Sequence, residues 1–428
     1  MKVLLVTPPM QETNSPYPAT TVLTGFLRGR GYDVVQDDFA IRVMSRMFSR
    51  VGVRALFEDL QEWLDPARKL AELAKTSDSY AHIEYFLAHH EEYEAIIEQA
   101  VGYVRNSDPV LKHLILRGNF FPEAPWIRDR TGLWDSSGND DQRAVRYCAS
   151  FRRIITLLVA CASPDFDYNL GRYNEALGEM SSFSAVDNRL SAEWFVDRLI
   201  ADVTRERMAV HRPDLLGITV PFPGQFYSAL RIAKVAKEMN PDVAIAIGGG
   251  FCNTTLRELS DPRVFKYIDY VTLDDGERVL ECLIEHLEGK RPRERLLRTF
   301  ALVDGHVEYF TSDEADIPHA ETGTPTYKDL PLDLYIPRGP ALADPNLPEQ
   351  YQMQLSSWNK LMLAHGCYWG KCTFCDTHLD YIGRYARAPA ELLVARMEAI
   401  AAETDWSGFH FVDEAAPPAV LKALSREL

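Results

Sequence analysis

The chain has 428 residues, with 62 acidic side chains against 46 basic ones and a formal charge of −16, which excludes a non-specific nucleic-acid binder because that class needs basic surface. An apolar fraction of 46% supports two or three domains with real cores. The longest apolar run, Ile154 to Ala162, is far short of a membrane span, and Met1 to Pro9 is too short for a signal peptide, so the expectation is a soluble cytoplasmic protein.

Lys2 to Thr7 reads as a buried strand ended by Pro8-Pro9. A helix follows through Val22, Leu23, Phe26 and Leu27, with Gly31 as its closing glycine. Asp33 to Asp37 is a second strand. From about residue 41 to 204 the periodicity is almost wholly helical, clearest over Ser79 to Arg105, Arg143 to Ala162 and Ala192 to Val203. The α/β rhythm returns with strands at Asp214–Val220, Val243–Ile247 and Ile268–Leu273 and helices at Tyr227–Met239 and Arg278–Leu287. Five strands with alternating helices predict a doubly wound parallel sheet. Its sequence is residues 1–40 and 205–295, split by a helical insertion over 41–204. A hairpin over Phe300 to Phe310, turning at Asp304-Gly305, and a proline-rich linker occupy 296–355. The last unit, 356–428, reads as strand, cysteine loop, helix from Pro389, strand Gly408 to Val412, and a helix from Pro417 or Pro418.

The cysteine loop is the densest chemical signal. Cys367, Cys372 and Cys375 follow an apolar segment, Leu361 to Ala364, in a C-x4-C-x2-C run. Such a run places three thiolates around one metal centre at the end of a strand, where α/β folds keep their chemistry. Three ligands rather than four would leave one iron of an iron–sulfur cluster open. A structural zinc site using His378 or His365 as fourth ligand is the alternative. Seven cysteines, an odd number, fit a reducing compartment. Cys148, Cys161, Cys252 and Cys282 are scattered and read as small buried hydrophobes.

The loop resembles that of radical SAM enzymes, whose usual spacing is C-x3-C-x2-C with an aromatic, here Phe374, before the last cysteine. The wider first gap is similar to that of some cobalamin-binding members. The resemblance implies a [4Fe–4S] cluster on Cys367, Cys372 and Cys375, S-adenosylmethionine on the open iron, and reductive cleavage to a 5′-deoxyadenosyl radical. It also implies that Phe374, Asp413 and Glu414 contact S-adenosylmethionine; Asp413-Glu414 before Pro417 also reads as a helix N-cap. His365, His378 and His410 are further candidates for this site, or structural residues.

Four loops end the sheet strands: Thr7 to Pro18, Thr219 to Gln225, Gly248 to Thr255 and Asp274 to Glu277. In an open parallel sheet such loops line the ligand crevice. The run Gly248-Gly249-Gly250 reads either as part of that crevice or as a device for a tight turn and close packing. Pro213-Asp214-Leu215-Leu216-Gly217-Ile218, Ile247 to Gly250 and Asp275-Gly276-Glu277 together resemble the flavodoxin-like B12-binding domain that precedes the barrel in a large radical SAM class. That resemblance implies cobalamin contacts from Thr7, Pro8, Pro9, Thr219, Val220, Pro221, Gly248, Gly249, Gly250, Asp275, Gly276 and Glu277. The D-x-H-x-x-G signature for a lower axial histidine is missing. Asp376-Thr377-His378 begins like it, but Gly383 comes too late.

The family reading is a cobalamin-dependent radical SAM enzyme that methylates an unactivated carbon of a small-molecule or peptide substrate, with an external electron donor. Rearrangement, ring contraction or sulfur chemistry on the same scaffold is the alternative, as is a non-catalytic cobalamin or iron–sulfur module working with a partner. After the cluster strand the chain holds enough residues for about two βα units of a partial barrel that needs six to eight. The expectation is therefore a truncated barrel, or one completed by a partner chain.

Overall fold

The computed structural model describes residues 1–61, 77–117, 183–336 and 358–428, less positions 10, 12, 107 and 108, with scattered single residues between 120 and 162. The expected helix over Arg143–Ala162, Cys161 and much of the linker lie outside the described residues.

The strands, in chain order, are β1 (Lys2–Thr7), β2 (Asp33–Asp38), β3 (Leu215–Thr219), β4 (Ala244–Gly248), β5 (Tyr270–Thr272), β6 (Thr299–Val303) and β7 (His306–Phe310), and they form one sheet in the order β2-β1-β3-β4-β5-β6-β7. Pairings from β2 through β5 are parallel. The chemistry of β1 explains its central place. Val3 and Leu5 enter one core cluster while Leu4 and Val6 enter another, so both faces of the strand are covered. The helix Pro18–Gly29 starts on Pro18 and closes before Gly31 at φ +86°, as expected.

The hairpin does more than expected. β6 pairs antiparallel with β5, from Tyr270↔Ala301 to Thr272↔Thr299, so it extends the sheet rather than standing beside the linker. Asp304 and Gly305 both take positive φ, 48° and 82°, which suits the twist of a two-residue hairpin turn.

Between β2 and β3 the described residues are mostly helical. Periodicity read Ser79–Arg105 as one helix; it is two, Ser77–Ala88 and His90–Asn106. The helix Phe195–His211 is anchored through buried Asp197, which accepts hydrogen bonds from Arg189 at 2.8 Å and Tyr227 at 2.8 Å.

The last unit is a βαβ element. β8 (Asn359–Leu361) pairs in parallel with β11 (Phe409–Phe411), and the helix Ala390–Thr404 connects them. Between them β9 (Ala364–His365) pairs antiparallel with β10 (Ala386–Arg387), closing the cysteine loop at its base. The linker joins the two units. The Gln36 side chain donates to Thr326 O at 2.7 Å, and Glu403 accepts from the Tyr327 backbone at 2.6 Å. Tyr327, fully buried, enters the core of the βαβ element with Leu361, Leu393 and Val420. No helix among the described residues is long and apolar enough to cross a membrane.

Candidate functional site

A cavity of about 910 Å³ lies between the C-terminal ends of the sheet strands and the ends of β8 and β11. Nine of the expected site residues line it: Thr219, Gly248, Gly249, Gly250, Asp275 and Gly276, with Glu277, Asp413 and Glu414. Thr7, Pro8, Pro9, Val220, Pro221, Phe374 and the three cysteines are outside its wall.

The glycine run is explained first by packing. A Cβ on Gly248 would stand 2.5 Å from the Thr272 hydroxyl, and one on Gly250 would stand 2.8 Å from Pro221 O. Gly249 takes φ +108°, and its added Cβ would meet the Val220 backbone at 3.0 Å. Val220 N donates to Gly248 O at 2.6 Å and Phe251 N to Val220 O at 3.0 Å. The glycines thus let the loop after β4 lie against the loop after β3, which shapes the floor of the cavity.

Asp275 is a bridge. It is the N-cap residue of the helix Gly276–Leu287, but its side chain makes no capping bond. It accepts from His365 Nε2 at 2.8 Å and from Arg384. Arg384 also reaches Asp316 at 2.9 Å, and Arg298 joins Asp316 to Asp274. The sheet is thereby tied to both ends of the cysteine loop. The hydrogen bond that His365 donates to Asp275 raises the His365 pKa. Glu277, in the first turn of the same helix, is pushed up to about 7 by burial, with Asp275 adding to the rise.

Asp413 serves the backbone. Its two oxygens accept from Leu363 N at 2.8 Å and Ala364 N at 2.9 Å, and burial raises its pKa. It is not a helix cap, since the final helix, Pro418–Glu427, has Pro417 at its N-cap. Lys360 Nζ and His410 Nδ1 are 2.9 Å apart on the cavity wall.

Cys367 and Cys372 are half-buried and Cys375 is exposed, all as free thiols. Their chemistry suits three-thiolate ligation of an iron–sulfur cluster, although no group of His, Cys, Asp or Glu among the described residues is gathered as a metal site. Both ring nitrogens of His365 are engaged, Nδ1 with Arg384 O at 3.0 Å and Nε2 with Asp275, which argues against it as a zinc ligand. Cys148, Cys252 and Cys282 are buried, as expected of small hydrophobes.

Gln11 and Ser15 on the wall belong to the loop Thr7 to Pro18 that was expected to line the crevice, whereas the wall residues Thr20, His319, Tyr381 and Arg396 carried no sequence signal. His319 is lowered to about 4 by burial and by neighbouring Arg396. The hydroxyls of Ser15 and Thr20 and the Gln11 amide nitrogen are buried without hydrogen-bond partners. A large, partly apolar hollow of this volume fits a bulky macrocycle such as cobalamin.

No protein-family profile matches the chain. It is 28% identical over 233 residues to an anaerobic magnesium-protoporphyrin IX monomethyl ester cyclase of Rubrivivax gelatinosus, covering 51% of this chain and 38% of the cyclase. It is 25% identical over 223 residues to an uncharacterized methyltransferase of Pyrococcus horikoshii, covering 51% of this chain and 44% of that protein. The chain thus spans less than half the length of these curated relatives. Among solved structures it is similar to OxsB, a cobalamin-dependent S-adenosylmethionine radical enzyme with aqua-cobalamin and S-adenosylmethionine bound, at TM-score 0.38 and 15% identity over 52% of this chain and 29% of that one. It is also similar to the radical S-adenosylmethionine methyltransferase TsrM of Kitasatospora setae with cobalamin and a [4Fe–4S] cluster bound, at TM-score 0.37 and 17% identity over 53% and 42%. In its cysteine loop, its strand motifs and its sequence similarity, the chain resembles the cobalamin-binding radical SAM family.

Proposed function

We propose that this chain is the cofactor-holding part of a cobalamin-dependent radical SAM enzyme, most simply one that methylates an unactivated carbon. The observation that carries the reading is the shared cavity: loops of a B12-type sheet form one wall, and the strand ends beside the cysteine loop form the other. When bound, the cluster and S-adenosylmethionine supply a radical and cobalamin supplies a methyl group. The chain's own work is placement. The loops after β3 and β4 would hold the macrocycle, and Cys367, Cys372 and Cys375 would hold the cluster. Asp275 fixes the cysteine loop through His365 and Arg384. Glu414, on the wall, would accept from an ammonium group, whereas Asp413 is already engaged with backbone. Substrate and electron donor come from outside the chain.

The test is anaerobic reconstitution. About four irons and four sulfides per chain are expected, the content of one such cluster, together with binding of hydroxocobalamin. Cys367→Ala, Cys372→Ala or Cys375→Ala should each abolish cluster assembly while leaving cobalamin binding intact. One zinc without sulfide overturns the cluster assignment. Incubation with S-adenosylmethionine and a strong reductant then asks whether 5′-deoxyadenosine is released.

A further inference from the structure

The helix Ala390–Thr404 sends one cation inward. Arg396 is 2% exposed, yet it forms part of the cavity wall. A guanidinium this deep ordinarily has a carboxylate against it. Among the described residues no Asp or Glu pairs with Arg396, and burial alone acts on its pKa, downward. The side chain holds the linker turn His319–Thr322 instead, and holds it loosely. Nη2 donates to His319 O at 3.2 Å, Ala320 O at 3.4 Å and the Thr322 hydroxyl at 3.5 Å. These are long bonds, and they are more acceptors than that nitrogen has hydrogens. Nε is sealed in without a partner. Nη1 has no hydrogen bond among the described residues either but, unlike Nε, is not sealed, and it is the point where the guanidinium opens onto the cavity.

A buried cation without a counter-charge is costly, and an anion in the cavity would relieve the cost. One open donor nitrogen suits one oxygen of a singly charged carboxylate. A phosphate monoester carries more charge and calls for a cluster of cations or a two-pronged fork. The acids of the wall narrow the choice further. Asp274 is held by Arg257 and Arg298, Asp275 by His365 and Arg384, and Asp413 by backbone amides. None of them bears on Arg396. An α-amino acid end, such as that of S-adenosylmethionine, therefore fits poorly here. Its ammonium shares a carbon with its carboxylate and would stand beside a cation with no acid at hand.

We infer that Arg396 receives the carboxylate of the substrate, so that the molecule modified in this cavity is an organic acid without an α-ammonium group. Calling that molecule the substrate rests on the function proposed above; the anion site stands without it.

The experiment is a pair of melting titrations of the full chain at constant ionic strength, one with sodium acetate and one with acetamide, its neutral isostere. A ligand that binds the folded state raises the melting temperature with its concentration. In wild type the apparent affinity for acetate should exceed that for acetamide about tenfold or more, the scale of one charge-assisted hydrogen bond. Arg396→Met should abolish the acetate response, and Arg396→Lys should keep part of it. Lys360→Gln, which removes another cation of the wall, should keep it in full. Equal responses of wild type to acetate and acetamide overturn the site. An acetate response that survives in Arg396→Met, or is lost in Lys360→Gln instead, overturns it too. Should Arg396→Met fail to fold, the wild-type comparison and Arg396→Lys decide. A second arm repeats the acetate titration on the chain loaded with cluster, hydroxocobalamin and S-adenosylmethionine. A response that persists assigns the site to a separate acid. One that either cofactor abolishes gives the site to that cofactor and overturns the substrate assignment. If the chain cannot be loaded, the proposed function fails, whereas the acetate result on the unloaded chain stands.

Discussion

Glu277, in the cavity wall, has a carboxyl far from its ordinary state. Its carboxyl is raised from 4.5 to about 7, chiefly by burial. The folded protein therefore holds this proton over a pH range where the unfolded chain has released it. The contribution to stability is fully present below about pH 4.5 and is lost as pH rises through about 7. Glu277→Gln should remove that loss and gain roughly 2 kcal/mol over wild type at pH 8. Thermal melts of both proteins from pH 4 to 8 measure it; parallel curves across that range would contradict the assignment. Asp413 is engaged with the backbone instead. Asp413→Ala would orphan the Leu363 and Ala364 amides and should cost about 2–4 kcal/mol in denaturant unfolding. Its role was hidden in the sequence because a carboxylate before a proline reads equally as a cap or as a ligand for an ammonium group. Only the pairing of β8 with β11 brings it beneath Leu363.

At the scale of elements, the glycine run after β4 decides how its own loop can be tested. A side chain on Gly249 must adopt an unfavourable φ and press on the Val220 backbone. Gly249→Val should therefore cost about 1–3 kcal/mol before any ligand is considered. Loss of cobalamin binding by that variant would report on the loop-to-loop contact as much as on the cavity. Most of the sheet was legible from residue pattern alone. Lys2–Thr7 and Leu215–Thr219 are continuous apolar runs ended by loop residues, and the turn at Asp304-Gly305 is written in two residues. Where β6 docks was not legible, because edge pairing with β5 depends on tertiary neighbours. The break at His89 was likewise unsignalled, lacking both proline and glycine.

Across the whole molecule, the two units meet through charge as well as through the linker. Asp275 accepts from His365 and Arg384, and Asp316 binds Arg384 and Arg298. Asp275→Ala should release the cysteine loop from the sheet while leaving the sheet intact. Hydrogen exchange should quicken over residues 366–385 and stay unchanged over β1 and β3. Uniform exchange in both regions would show that the tie is dispensable. The sequence placed Asp275 at a strand end but could not name its partners, which lie some 90 residues away in the chain.

The clip formed by β9 and β10 has a consequence for the spacing of the cysteines. His365 pairs with Ala386, so the chain enters and leaves the cysteine segment at neighbouring points. Everything between behaves as a cassette whose internal length is uncoupled from the strands that carry it. Closing a loop one residue longer adds very little entropy cost, because that cost grows only with the logarithm of length. The extra residue between Cys367 and Cys372 can thus be absorbed inside the cassette without shifting the register of β8 against β11. Deleting Lys371, which restores the shorter gap, should leave the melting temperature within a degree or two of wild type, on the scale expected of exposed surface changes.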